Sequence, residues 1–230
     1  MNTKYVIAGL AGLVSLANNA GATLAWDVNG SPDPNYGGSK QYAQEFTIGG
    51  TGITVTSLGV FGKDATFAAP ITVALYSWTS GTDKISGSPL ASATFNGPAT
   101  ASSPGSYFYT TSISSLSLAA NQTYALVTYG WAGQIGDEQP LLGDLTVNMA
   151  GWTWKDNYRN VNGTAVPDSS TPWTKNSASL GGTVDGLGAG TFGYTYIPPV
   201  PEASTFAIAG VGLLSGVYFG RGWFMRRRQA

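Results

Sequence analysis

The sequence predicts an all-β fold, a β-sandwich or jelly roll, bounded by an apolar segment at each end of the chain. Three observations carry this. Only 10% of the residues are charged, while 32 are glycine and 12% are aromatic, the composition of turns and pleated strands rather than of amphipathic helices. Apolar residues recur in short units with a period of two. Gly-, Asn- and Ser-rich signals separate the units, and no helical period longer than a turn or two occurs outside the terminal segments.

The first element in chain order has the form of an export signal. Lys4 supplies a positive n-region, residues 5–17 form an apolar core within the usual span of about 7–15 residues, and Ala20-Gly21-Ala22 reads as an A-x-A site. Cleavage is therefore expected after Ala22. The run is too short to span a membrane, and Asn18-Asn19 ends it. Residues 1–22 are read as a signal peptide and residues 23–199 as the folded domain.

Asp27, Asn29, Ser31 and Asp33 then place oxygen-bearing side chains at alternate positions, as calcium loops do. Pro32 stands where an EF-hand loop needs glycine, and Gly38 where it needs the bidentate glutamate. These four residues are the calcium candidate of the chain, a polar loop after the signal peptide is the plainer account, and no other cofactor is expected.

Candidate strands follow at 45–48, 53–61, 71–79, 90–95, 107–113 and 123–131, with shorter ones near 145–148, 152–154 and 192–197. Alternation is clearest in Ile71, Val73 and Leu75 and in Ala125, Val127, Tyr129 and Trp131. Within 53–61 the apolar parity switches from Ile53 and Val55 to Leu58 and Val60, which predicts a bulge near Thr56-Ser57. Gly49-Gly50, Gly62-Lys63-Asp64, Ser80-Gly81, Asn96-Gly97-Pro98 and Ala119-Ala120-Asn121 read as turns. Asn121-Gln122-Thr123 and Asn162-Gly163-Thr164 fit the N-glycosylation pattern, and turn chemistry accounts for both.

The last element is tripartite. Val200, Pro201, Glu202, Ala203, Ser204 and Thr205 precede an uncharged run from 206 to 220, which extends to about 225 if Arg221 snorkels, and Arg226, Arg227 and Arg228 follow. About 20 apolar residues cross roughly 30 Å of hydrocarbon as a helix. The arginine cluster holds the C-terminus in the cytoplasm and puts the upstream domain outside. Gly212, Gly216 and Gly220 add a small-residue stripe of helix-packing spacing.

This tail resembles the PEP-CTERM sorting signal of exported bacterial proteins, a VPEPST motif followed by a Gly- and Leu-rich helix and a short arginine cluster. Val200, Pro201, Glu202, Ser204 and Thr205 match, and Ala203 departs from the second proline of the motif. The resemblance implies recognition by a membrane-embedded exosortase with a cysteine nucleophile, cutting near Pro201-Glu202 and releasing the domain to the cell surface or beyond. The stretch from 46 to 129, with FTIGG, ITVTSLGVF, ITVALYSW, LASATF, SYFYTTSI and LSLAANQTYALVTY, is also similar to a domain that recurs in exported, C-terminally anchored bacterial proteins. It implies a β-sandwich and no particular activity.

Charge and residue inventory narrow the function classes. Residues 23–200 hold six Lys and Arg against eleven Asp and Glu, a net charge of −5 that the basic tail masks in the whole-chain value of −1. Nucleic acid is thereby not an expected partner. The chain has no His and no Cys, which removes the Ser-His-Asp and Cys-His arrangements and thiolate chemistry. The best carboxylate cluster, Asp137, Glu138 and Asp144, sits among Gly133, Gly136, Pro140 and Gly143 and reads as a solvated loop. No enzymatic function is expected.

Trp131, Trp152, Trp154, Tyr158 and Trp173 gather aromatic rings beside Asp156, Asn157, Arg159 and Asn160. Flat rings with polar neighbours suit sugar stacking, and the competing account is that they close one end of the core. Two expectations follow. The first is a non-catalytic surface or matrix protein, handled by signal peptidase and an exosortase, transiently membrane-anchored and associated with extracellular polysaccharide. The alternative is a carbohydrate-binding module whose rings line an open groove.

Overall fold

The pleat sends successive side chains to opposite faces of a strand, so an alternating apolar set finds a core on one side only. The computed structural model describes residues 22–28, 40–62, 67, 69–97, 107–131, 145–160, 165–176 and 189–196. Its strands are β1 (Thr23–Leu24), β2 (Trp26–Val28), β3 (Gln41–Ile48), β4 (Ile53–Phe61), β5 (Ile71–Thr79), β6 (Lys84–Phe95), β7 (Phe108–Leu118), β8 (Thr123–Tyr129), β9 (Leu145–Val147), β10 (Trp152–Asn160), β11 (Thr174–Asn176) and β12 (Gly190–Tyr196). Among the described residues there is no helix, hence none long and apolar enough to cross a membrane. The chain divides into a unit Met1–Ile197, which holds every one of these strands, and a unit Pro198–Ala230. The motif at 200–205, the apolar run at 206–225, the arginines 226–228 and the N-terminal segment expected to be a signal peptide, through Gly21, lie outside the described residues.

Two antiparallel sheets lie in a sandwich-like arrangement: β1-β12-β4-β7, and β11-β10-β3-β8-β5-β6, with a small β2-β9 pair beside them. The main core joins Ile53, Val55, Leu58, Val60 and Phe192 from the first sheet to Phe46, Ile48, Ile71, Val73, Leu75, Leu126, Trp152 and Trp154 from the second. Trp26 of β2 is fully buried in its middle, edge-on to Trp154 at 4.9 Å, Trp152 at 5.8 Å and Phe192 at 5.5 Å between ring centroids. Such T-shaped packing suits the ring quadrupoles. The Trp26 indole N–H donates to the Gly190 carbonyl, and Thr191 Oγ1 donates to the Trp26 carbonyl at 2.8 Å. Gly190 lets the sheets approach here: a Cβ on it would fall 2.7 Å from Thr128 Cγ2.

β4 and β5 span the residues that alternation predicts. The bulge is where parity placed it: Ser57 faces Gly193 and Val55 faces Tyr194, leaving Thr56 as the extra residue. Other strands are longer than expected, each for a local reason. β3 begins at Gln41 because Gln41 and Gln44 are buried despite their amides, which breaks the apolar alternation. β6 begins at Lys84 because the breakers Gly87 and Pro89 sit in an excursion. Ser86 faces Ser77 and Ala91 faces Leu75, so residues 87–90 stand opposite Tyr76 alone. On an edge strand such an excursion interrupts a single ladder, at Tyr76 of β5, and blunts pairing with another chain. β8 ends at Tyr129, short of Trp131, since Gly130 takes φ +98° against the Pro70 carbonyl, a place that only glycine fills.

Candidate functional site

The five aromatic residues expected to line one groove do not form one. Trp131, Trp152, Trp154, Tyr158 and Trp173 are 2, 2, 6, 3 and 9% exposed, and they divide between the two faces of the six-stranded sheet. Trp131, Trp152 and Trp154 belong to the main core, whereas Tyr158 and Trp173 pack with Trp78 on the opposite face. The cause is a second bulge. Trp154 faces Phe46 and Asp156 faces Glu45, which leaves Lys155 unpaired and flips the parity of β10. Trp152 and Trp154 do share a face, but that face points inward.

The calcium candidate is placed only in part. Asp27 lies on β2 opposite Thr146, while Asn29, Ser31 and Asp33 are outside the described residues, as are Asp137, Glu138 and Asp144. Among the described residues no group of three or more acidic side chains is disposed to hold a metal ion. Ala22, the last residue of the A-x-A match, is described and exposed, immediately ahead of β1. It lines a cleft of about 480 Å³ with Thr23, Asp27, Ser57, Thr110 and Thr146.

The densest convergence of titratable groups is on the outer face of the six-stranded sheet. Strand register sets Glu45 of β3 opposite Asp156 of β10, and the turn between β5 and β6 brings Ser80 and Asp83 over them. The Tyr158 hydroxyl lies 2.9 Å from Glu45 Oε2 and 3.0 Å from Asp83 Oδ1, and Ser80 Oγ donates to Glu45 Oε1 at 3.3 Å. A phenol has one proton for these two carboxylates, so it donates to one at a time. Burial and the two acids push the Tyr158 hydroxyl well above the ordinary tyrosine range, which keeps it a donor. Asp83 holds φ +51°, a left-handed conformation that aspartate tolerates better than most side chains.

At the rim, Lys175 of β11 lies 2.6 Å from Asp156, which holds its ammonium above the ordinary lysine range. Around this network sit Tyr76, Trp78, Ile85, Val127 and Trp173, a second apolar cluster against which the segment 165–173 is laid. Gln41 donates to the Ala165 carbonyl at 2.6 Å and Tyr76 to the Pro167 carbonyl at 3.5 Å. Glu45 is 7% exposed, so the centre of the network is closed, while Asp156 and Lys175 keep its rim in solvent. It ties a turn and three strands together, and it offers neither an open carboxylate pair nor a nucleophile beside a base. Sequence reasoning missed it. The available signal was Glu45, a lone acid within the otherwise buried strand QYAQEFTI. Comparison with protein-family models, with curated proteins and with solved structures returns no match.

Proposed function

We propose that this chain is a non-enzymatic exported protein of the cell surface or extracellular matrix, sorted and cleaved by an exosortase at its C-terminal signal. The observation that carries the reading is the order of the tail: Val200, Pro201, Glu202, Ala203, Ser204 and Thr205, then an apolar run to about 225, then Arg226, Arg227 and Arg228. The A-x-A site at Ala20 and Ala22 supports export from the other end. An acidic sandwich whose polar network is closed at its centre suits a passive role. Signal peptidase and the exosortase are then its processing partners, the membrane a transient one, and extracellular polysaccharide its setting. The carbohydrate-binding alternative loses Trp131, Trp152, Trp154, Tyr158 and Trp173 as stacking faces, because all five are buried.

Mass spectrometry of the C-terminus from cells tests this reading. The mature chain is expected to end near Glu202, and Pro201→Ala with Glu202→Ala is expected to leave a folded domain retained on the membrane. A mature chain that runs to Ala230, or unchanged release of the double variant, overturns it.

A further inference from the structure

The outer face of the four-stranded sheet is built from small side chains. Register sets Thr195 of β12 beside Thr54 of β4 and Ser117 of β7, then Gly193 beside Ser57 and Ser112, then Thr191 beside Gly59 and Thr110. All nine positions are Thr, Ser or Gly. An outward sheet face is polar as a rule, and this one is polar through hydroxyls, with no charge among the nine. The two glycines keep the array open. A Cβ on Gly193 would collide with Ser57 Oγ, and one on Gly59 would fall 2.8 Å from the Cγ2 atoms of Thr110 and Thr191.

On this face Ser57 and Thr110 share a cleft of about 480 Å³ with Asp27 of β2, Thr146 of β9 and Asn148 just beyond β9. That is within the range of small-ligand sites, roughly 300–1,000 Å³. Among the described residues no group takes up the hydroxyl of Ser57 or of Thr110. Asn148 Oδ1 is engaged by the Ala150 N–H and the Tyr194 hydroxyl, each at 3.3 Å, which leaves the amide NH2 as its unused end. Ser57 and Thr110 sit on paired strands, which hold a side chain more firmly than a loop does. Asp27 is the one charged residue of the lining, and no Lys or Arg joins it.

The chemistry of these groups selects a ligand. A hydroxyl both donates and accepts, an amide NH2 donates, and a carboxylate accepts. Several such groups within one cleft suit a molecule that is itself donor and acceptor at adjacent points, as the hydroxyls of a sugar ring are. A carboxylate with no cation beside it repels an anion, yet it takes a hydroxyl proton in a charge-assisted bond. A calcium ion is poorly served here, since it takes six to eight oxygens and the lining offers a single carboxylate.

We infer that this cleft binds an uncharged oligosaccharide, Asp27 accepting from its hydroxyls, Asn148 donating to them, and Ser57 and Thr110 doing either. The inference stands whether or not the tail is processed. Ala22 forms part of the lip, and its removal leaves these four residues in place. The test is a glycan array probed with the full-length chain in a polyoxyethylene detergent, whose head group is not a sugar. Calorimetric titration with cellotetraose, maltotetraose, mannotetraose and tetragalacturonate follows. Saturable binding of at least one neutral sugar is expected, with none of tetragalacturonate and little dependence on salt. Ser57→Ala with Thr110→Val is expected to weaken it about tenfold or more at an unchanged thermal transition. Should that pair lower the transition, Ser57→Ala alone is expected to weaken binding about threefold or more. Asp27→Asn is expected to admit tetragalacturonate, a change of selectivity that a merely structural role would not produce. No saturable binding of any neutral sugar, equal binding of tetragalacturonate by the unaltered chain, displacement of the sugar by calcium chloride, or indifference to the hydroxyl variants overturns the assignment. An Asp27→Asn chain that still rejects tetragalacturonate removes Asp27 from it.

Discussion

Gln44 and Glu45 are neighbours in one strand and point to opposite faces of one sheet, yet their surroundings differ entirely. Glu45 faces outward into a built network, with donors from Tyr158 and Ser80. Gln44 faces inward beside Asn157, and among the described residues the two amides lack any partner. Among the described residues each face also holds indole N–H groups without a partner, Trp131 inward and Trp78 and Trp173 outward, so the contrast lies in these two neighbours rather than in the faces as wholes. The difference teaches that, on successive residues of one strand, a buried acid is tied into a network of donors while a buried amide is left, among the described residues, without one.

The largest expected effect sharpens the contrast in packing. Trp26→Ala empties the centre of the main core and is expected to cost about 3–5 kcal/mol in urea denaturation. Trp173→Ala, at the margin of the outer cluster, is expected to cost less. Equal losses would mean that the outer cluster is a core in its own right. Next, Tyr158→Phe removes the donor between Glu45 and Asp83 and is expected to cost about 1–3 kcal/mol, the penalty for leaving a buried polar group unpaired. A double-mutant cycle with Glu45→Gln should show coupling, and additivity would dissolve the network.

Alkaline pH separates the faces by a different route. Burial, with Tyr129 and Asp168 nearby, pushes the Tyr76 hydroxyl from 10.0 up to about 12. A raised folded-state value means that the folded chain keeps a proton the unfolded chain has released. Stability from this group is thus complete below pH 10 and lost as pH rises from about 10 to about 12. Tyr158 and Tyr129, on the same face, shift in the same direction. Denaturation midpoints followed from neutral to high pH should fall in that window, and Tyr76→Phe should make the fall shallower. An identical slope in the variant would remove Tyr76 from the account. The smallest effect is a gain: Gln44→Met, close in volume and without an amide, is expected to raise stability by up to about 1 kcal/mol. A loss instead would show that Gln44 has partners after all.

Much of this was legible in the sequence, and the limits were physical. Alternation located β4 and β5 to the residue, and a parity switch located the bulge near Thr56-Ser57, where Thr56 proves to be the extra residue. Parity also set Trp152 and Trp154 on one face but could not say which, because a single unpaired Lys155 decides where Asp156 and Tyr158 go. β1, β2 and β11, at two or three residues each, are too short to carry a period. The polar stretch Lys155–Asn160 hid the rest of β10 because its burial comes from cross-strand neighbours far away in the chain. Glu45 reaches Asp83 only through Tyr158, a meeting that depends on three-dimensional closure.

The seam between the first and last strands has a consequence for the order of assembly. Thr23 faces Tyr194, Leu24 faces Gly193, and Ala25 donates to the Phe192 carbonyl at 2.8 Å. The hydrogen bond from Thr191 to Trp26 joins residues 165 positions apart. A chain that emerges from its N-terminus carries Trp26 through nearly the whole of its synthesis without the partners that bury it. Contacts of such separation form late, since the closure entropy of the intervening chain comes due before any of them forms. Until β12 arrives, Trp26 waits without the strand that covers it. β12 ends at Tyr196, four residues ahead of Val200. The sandwich can therefore close only as the residues that follow β12 begin to appear, and its folding belongs to the end of synthesis rather than to its course.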